Sequence, residues 1–323
     1  MLTSTPTRPT QSPYRVTVRR VSRLSPSFVR ITFGGSELVH FLDTGLDQRI
    51  KLVLPLPGSG FDHFPTEHGP TEHGPTGDDA WSWWQLWREL PDHRRNPLRT
   101  YTARAIRRDE AEVDVDFVSH GDGGPASAWA ESAVIGDEII IVGPDARGGQ
   151  APGGIEWHPG TARTLLLVGD ETAVPAITAI LEQLAEDATG CVFLEVPHAS
   201  DILPLLHPDG VDVHWLPRHA SDDSAPPYGE PLIAAVRDWT SRFVTAQHHG
   251  RPGDQVTPGD IDVDHEILWE VPEGSAAGGD LYAWLAGEAS AIKTLRRFLV
   301  SEVGIDRSQV AFMGYWRHGK SEN

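Results

Sequence analysis

The sequence predicts a β + α/β chain: an N-terminal antiparallel six-stranded β-barrel followed by a doubly wound parallel sheet. Three observations carry this. The first half holds short strand-like runs between turn signals, with little helical periodicity, as in antiparallel barrels. The second half alternates wholly apolar runs with segments at helical spacing, as buried parallel strands and their helices do. Between them, Pro144–Pro159 is rich in Gly and Pro.

In the first half, Tyr14–Val21 and Phe28–Phe33 alternate as strands, the second stopping at Gly34-Gly35. Arg49–Leu54 is the third strand, ended by Pro55, and Thr100–Ile106 is the fourth. Val113–Val118 alternates apolar and acidic residues strictly and is the fifth; Glu138–Val142, closed by Gly143-Pro144, is the sixth. In the second half, Thr164–Val168 reads as a buried parallel strand, and Val174, Ile177, Ile180, Leu181 and Leu184 mark the helix after it. Cys191–Val196, Val211–Leu216 and Tyr282–Ala286 are further strands. Ile292, Leu295, Phe298 and Leu299 mark another helix, and Gln309–Trp316 closes the sheet.

These elements divide the chain into a flexible tail (1–13), a barrel domain (14–148), a linker (149–160) and an α/β domain (161–323). Two loops read as insertions, at about 57–95 and about 245–264. The first contains a tandem repeat, Pro65-Thr-Glu-His-Gly and Pro70-Thr-Glu-His-Gly. Its evenly spaced His63, His68 and His73 invite a metal reading, but a duplicated, mobile, solvated loop is favoured. Trp81, Trp83, Trp84 and Trp87 then suit a short helix over the barrel. The second loop, with Gln247–Gly253, reads as surface.

Composition excludes several classes of function. Lys+Arg is 27 and Asp+Glu is 46, a formal net charge of -19. Such a chain repels nucleic acid and anionic membranes unless its cations cluster, and no basic run is present. Cys191 is the only cysteine, which excludes an internal disulfide and a cysteine-ligated cluster, and fits a reducing compartment. Neither a signal peptide nor an apolar run of membrane-spanning length is present, so a soluble cytoplasmic protein is expected.

Chemistry concentrates at a few stretches. Arg99-Thr-Tyr-Thr-Ala-Arg104 has the form R-x-Y-T-x-R. Strand alternation sets Arg99, Tyr101 and Ala103 on one face and Thr102 and Arg104 on the other. Arginine forks match phosphate, and tyrosine lies against a flat ring while its hydroxyl makes a polar contact. The stretch is therefore either a polar edge strand or a flavin site. Ser119–Trp129 follows the fifth strand; Gly121, Gly123 and Gly124 permit close backbone approach, and Pro125 suits a first helical position. Ala126, Ser127 and Ala128 would then offer helix N-terminal amides to a diphosphate, a reading favoured over a plain Gly-rich turn. His120 is a candidate flavin contact.

Gly169-Asp-Glu-Thr-Ala-Val-Pro175 sits where a parallel sheet places its ligand. It lacks the G-x-G-x-x-G fingerprint, and Asp170 and Glu171 would repel a pyrophosphate. Thr172 either caps the helix or, with its neighbours, walls a nicotinamide ring. Arg218, after the third parallel strand, is either a 2′-phosphate contact or a surface charge. Gly287 permits close approach beside Glu288, and Gly314–Lys320 mixes basic and aromatic groups, including Tyr315 and Trp316.

Taken in order, R-x-Y-T-x-R at Arg99–Arg104, His120–Ser127, Gly169–Ala173, Leu285–Glu288 and Gly314–Gly319 resemble the siderophore-interacting proteins. These are FAD-dependent ferric-siderophore reductases of the ferredoxin reductase-like superfamily. The resemblance spans roughly residues 14–320. It implies FAD on the barrel and NADPH or NADH on the parallel domain. Arg99, Tyr101 and Thr102 would hold the isoalloxazine and ribityl region, and Arg104, Ala126 and Ser127 the diphosphate, with Gly124 and His120 beside them. Thr172 would sit at the nicotinamide–flavin contact and Arg218 near the adenosine phosphate, with Asp170, Gly287, Glu288, Tyr315 and Trp316 completing the cofactor set. The family usually carries a histidine where this chain has Gln48-Arg49.

The resemblance further implies a ferric siderophore as substrate; a monomer is expected, with no nucleic acid and no membrane insertion. Lys51, Lys293 and Lys320 are candidates for attracting an anionic iron complex; Arg296 and Arg297 read rather as solvated surface charges. A general NAD(P)H–flavin reductase and a siderophore-binding carrier without turnover remain as alternatives.

Overall fold

Seven strands, rather than six, build the first sheet of the computed structural model, which describes residues 10–65, 82–119, 124–148, 153–219, 226–247, 268–272 and 280–319. They are β1 (Gln11–Arg23), β2 (Phe28–Gly34), β3 (Arg49–Val53), β4 (Leu98–Thr102), β5 (Ala105–Arg107), β6 (Glu112–Val118) and β7 (Glu138–Pro144). Helix α1 (Ser82–Glu89) precedes β4, and α2 (Pro125–Ser132) lies between β6 and β7. All pairings are antiparallel, in the order β4-β3-β7-β1-β2-β6-β5.

The extra strand is a correction to the expected fourth strand, Thr100–Ile106. That run is two strands at opposite edges of the sheet: β4 pairs with β3, and β5 pairs with β6. The change happens across Ala103 and Arg104. The Ala103 amide donates to the Gln48 carbonyl at 2.9 Å, and the next amide, Arg104, donates to the Asp114 carbonyl at 2.9 Å. Two successive amides thus bridge the two edges, which satisfies backbone groups that an open edge would leave unpaired. The expected tail is also shorter: from Gln11 the chain already pairs with Pro144 on β7.

The barrel core is filled by alternate residues of these strands, among them Val16, Ile31, Phe33, Leu52, Val115, Phe117 and Ile141. Trp83 and Trp87 of α1 bury against Val53, Ile140 and Val142 together with Phe61 and Phe64, because four residues apart places both rings on one helix face. Trp81, His68, His73 and nearly all of the tandem repeat lie outside the described residues; His63 is exposed.

The acidic face of β6 is not a solvated face. Asp114 and Asp116 are buried. Arg30 grips Asp116 through Nε at 2.7 Å and Nη2 at 2.8 Å. Arg107 grips Asp114 through Nη1 at 2.8 Å and Nη2 at 2.7 Å, and Thr32 Oγ1 donates to the same carboxylate at 2.7 Å.

The second sheet is mixed. Its strands are β8 (Thr164–Gly169), β9 (Thr189–His198), β10 (Val211–His219), β11 (Trp269–Glu270), β12 (Leu281–Glu288) and β13 (Val310–Trp316), in the order β10-β9-β8-β12-β13-β11. Only β11 runs antiparallel, against β13. Helices α3 (Val174–Leu181), α4 (Glu230–Gln247) and α5 (Ala289–Arg296) connect them, the last continued by a π-helical turn, Arg297–Val303. The chain divides into two compact units, Met1–Arg23 with Phe28–Ile155, and Glu156–Glu322 with Leu24–Ser27.

Two expectations change here. Helix α4 extends through Thr245–Gln247, the start of the expected surface loop; the rest of that loop lies outside the described residues. Arg296 is buried rather than solvated: Glu270 on the edge strand β11 receives its Nε at 2.9 Å and its Nη2 at 2.8 Å, and Arg307 joins at 3.0 Å.

Candidate functional site

In the first unit the R-x-Y-T-x-R segment lies on β4 and the crossing after it. Tyr101 is half-buried, its ring centroid 4.7 Å from that of Phe117, so one edge of the ring joins the core. Thr102 is buried, and Arg99 and Arg104 are half-buried. Beyond the end of β4, Ala103 is buried in the same core cluster that Tyr101 packs against. Arg99 Nη1 donates to the Leu98 carbonyl at 2.9 Å, and Arg104 Nε stands 4.0 Å from Asp116 Oδ2. Lys51, on the neighbouring strand, donates through Nζ to Thr100 Oγ1 at 2.5 Å.

Gln48 stands at the position where the resemblance leads one to expect histidine. It is buried, and Thr44 Oγ1 donates to its amide oxygen. Its Nε2 donates to the Arg49 and Gly153 carbonyls at 2.9 and 3.3 Å. With its own carbonyl taking the Ala103 amide, Gln48 fixes the point at which the motif crosses.

Helix α2 begins where β6 ends. Ser127 Oγ donates to the Val118 carbonyl at 3.0 Å, and Trp129 stacks on Phe33 with centroids 6.0 Å apart. Pro125 takes a first-turn position, and the N-cap is Gly124, which has no side chain to cap the first amides. Among the described residues nothing lies within 4 Å of where a Gly124 Cβ would stand. A glycine-capped helix N-terminus, on the same sheet-built unit as Arg99 and Arg104, is a donor set suited to a diphosphate and a flat ring. The residues therefore fit FAD. His120, Gly121 and Gly123 lie outside the described residues.

In the second unit the carboxyl ends of the strands are tied together by buried carboxylates. Asp170 follows β8. Its Oδ1 accepts from the Thr172 amide at 2.9 Å and Thr172 Oγ1 at 2.5 Å. Its Oδ2 accepts from the Glu288 amide and from Trp316 Nε1, both at 2.7 Å. One carboxylate thereby joins the ends of β8, β12 and β13. Gly287 is glycine because of it: φ is +151°, and a Cβ there would stand 2.6 Å from Asp170 Oδ2. Burial, reinforced by the neighbouring Glu171 charge, pushes the Asp170 carboxyl up to about 7.

Arg218 requires a correction. Expected beside an adenosine phosphate or at the surface, it is 4 % exposed and bound to carboxylates. Nη1 donates to Glu171 at 2.7 Å and Glu195 at 3.0 Å, and Nη2 donates to Glu171 at 2.6 Å. Both acids are fully buried, and the Tyr228 ring lies 4.3 Å from the guanidinium carbon. Glu195 also accepts from the Gly229 and Leu232 amides at 2.9 and 3.2 Å, seating the start of α4. Burial pulls the Arg218 proton affinity down, but the two acids outweigh it and leave it raised; for Glu195, burial wins and its carboxyl is raised.

Other expected residues take structural positions. Glu288 caps α5, accepting from the Ser290 and Ala291 amides at 2.7 and 3.0 Å. Thr172 is half-buried on Asp170, and the α3 N-cap is Ala173, so the capping reading of Thr172 fails. Tyr315 stacks on Trp269, and Trp316 meets Tyr228 edge-on at 5.2 Å. Lys293 is half-buried on α5, and Lys320 lies outside the described residues. Sequence reasoning missed Glu195 and Tyr228: a lone acid inside an apolar strand, Cys191–Val196, was the available signal for the first.

Comparison with known proteins adds the following. A family model described as "Siderophore-interacting FAD-binding domain" matches residues 17–148, and one described as "Siderophore-interacting protein" matches residues 162–319. The chain is 29 % identical over 305 residues to a ferric vibriobactin reductase of Vibrio cholerae, covering 94 % of this chain and 89 % of that one. It is 33 % identical over 217 residues to an NADPH-dependent ferric-chelate reductase of Escherichia coli, covering 65 % and 72 %. The crystal structure of a siderophore-interacting protein from Aeromonas hydrophila superposes with a TM-score of 0.63 at 29 % identity, covering 97 % of this chain and 94 % of that one.

Proposed function

The chain belongs to the siderophore-interacting protein family, and from that premise we propose that it is an NAD(P)H-dependent, FAD-containing ferric-siderophore reductase. The observation that carries this reading is the presence of the R-x-Y-T-x-R strand and the glycine-capped α2 N-terminus in one unit, both inside the region matched as an FAD-binding domain. The substrate is a ferric siderophore. Oxygen ligands hold hard Fe(III) tightly and Fe(II) loosely, so reduction releases the metal.

Residues 14–148 form the FAD domain in this reading, and 161–323 the NAD(P)H domain. The second is doubly wound, supported by α4 and α5 sharing one apolar cluster from which α3 is absent. Bound FAD supplies the exchange between a hydride pair and single electrons. The protein's task is to bind, orient and exclude water. Arg99, Tyr101 and Thr102 orient the ring and ribityl region; Arg104, Ala126 and Ser127, aided by the α2 dipole, hold the diphosphate. In the second unit Asp170 fixes the backbone at Thr172 and Glu288 and the indole of Trp316, which sets the wall facing the nicotinamide. Lys51, docked on the motif strand, draws in an anionic iron complex. Among the described residues no helix is long and apolar enough to cross a membrane.

The test is anaerobic capture of Fe(II) by ferrozine from several ferric siderophores, with NADH and NADPH as donors. Turnover by yellow protein that bleaches with the nucleotide is expected. Colourless protein, or bleaching with no iron reduction from any siderophore, overturns the reading.

A further inference from the structure

We propose that this chain selects NADH over NADPH, and that the buried Arg218–Glu171–Glu195 triad is the determinant. The inference rests on the reading of the second unit as the nicotinamide nucleotide site. In parallel sheets of this type the adenosine end lies beyond the carboxyl ends of the strands. An arginine offered there accommodates a 2′-phosphate, whereas acidic surroundings favour a free 2′-hydroxyl.

Arg218 has the arginine's place, one residue before the end of β10, but its charge is not offered outward. Three hydrogen bonds of 2.6–3.0 Å commit both terminal nitrogens to Glu171 and Glu195. The Tyr228 ring covers the guanidinium. Two fully buried carboxylates face this single cation, and a third buried carboxylate, Asp170, precedes Glu171 in the chain. Turning Arg218 toward a ligand would leave Glu171 and Glu195 buried without their cation, so the triad resists opening.

Local composition points the same way. Among the described residues from Val211 to Glu230 Arg218 is the only Lys or Arg, against Asp212 and Glu230. The imidazoles at the ends of β9 and β10, His198 and His219, stack on each other at 4.6 Å. A dianionic 2′-phosphate at this end of the sheet meets acid and a locked cation; a 2′-hydroxyl meets no such repulsion.

The test is calorimetric titration of the purified flavoprotein with ADP-ribose and with 2′-phospho-ADP-ribose, beside anaerobic flavin bleaching by NADH and NADPH. ADP-ribose should bind at least about tenfold more tightly, a gap of about 1.4 kcal/mol. Equal or tighter binding of the 2′-phosphorylated compound overturns the inference and leaves the nicotinamide reading intact. Binding of neither compound, with no bleaching by either nucleotide, overturns that reading itself. The variants Glu171→Gln and Glu195→Gln, checked for fold by circular dichroism, should narrow the gap; an unchanged gap in folded variants removes the triad from the explanation.

Discussion

The buried acids of the two units make an instructive pair. On β6, Arg30 grips Asp116, and Arg107 grips Asp114 while also meeting Glu112 and Glu110; Asp114 adds the Thr32 hydroxyl. At the ends of β8 and β9, Asp170, Glu171 and Glu195 have one arginine near them, and Arg218 engages only the last two. The consequences for protonation are opposite. Burial raises the Asp114 carboxyl, but the bonds from Arg107 and Thr32 overcome it and leave it lowered. Burial also raises Asp170, and there Glu171 adds to the rise. Depth alone does not set the sign; the groups that bond or face each carboxylate do.

The comparison can be broken most decisively at its arginines. Arg218→Met should cost about 3–5 kcal/mol, because two acids are left buried without their cation. Arg30→Met should cost about 1–3 kcal/mol, since Arg30 is partly exposed and the Asp116 it leaves is one acid rather than two. Urea unfolding, with hydrogen exchange read separately on β8–β10 and β2–β6 peptides, gives both values; equal costs would end the distinction. Next in size is Gly287→Ala, at about 1–3 kcal/mol, because the added methyl collides with Asp170 Oδ2 at a positive φ. In a double-mutant cycle with Asp170→Ala the two costs should sum to less than additive.

Acidity sharpens the contrast further. An acid whose folded affinity for protons is raised stabilises the fold below its unfolded value and loses that contribution as pH rises through the folded value. For Asp170 the window is from about 4, its unfolded value, to about 7. Stability of the second unit should slope downward across it, by at most about 1.4 kcal/mol per pH unit, and Asp170→Asn should flatten that slope. Asp114 has the opposite sign: its contribution is present above about 4 and fades as pH falls below that. Hydrogen exchange at several pH values, read on the same peptides, checks both. The smallest effect is Thr32→Val, at about 1 kcal/mol, with the Asp114 carboxyl moving up in a carbon-detected titration.

Much of this architecture was legible because apolar runs and their turn residues state it locally. Leu165–Val168 is buried throughout, as its lack of alternation implied, and Trp83 and Trp87 bury at helical spacing. The division of Thr100–Ile106 was not legible. Thr102-Ala-Arg-Ala carries no Gly or Pro, and the change of edge is decided by Gln48 and Asp114, distant in sequence for the first and separate in structure for both. The candidate site divides the same way. Motif residues could be listed from the chain, but the partner of a charged side chain could not. Arg218 reads as an offered cation until Glu171 and Glu195, on two other segments, are seen to hold it. Strand β11 escaped for lack of length, and with it the reason that Arg296 is buried.

The crossing at Ala103-Arg104 also governs which changes of chain length the barrel tolerates. Strands β4 and β5 meet their partners in registers fixed on either side of those two residues, Tyr101 with Ile50 and Ile106 with Val113. One residue inserted between Thr102 and Ala105 would shift one register by a single step and turn that strand's core side chains outward. Length variation in this domain is therefore confined to loops such as the one before β4, while the stretch richest in candidate cofactor contacts has no freedom in length at all.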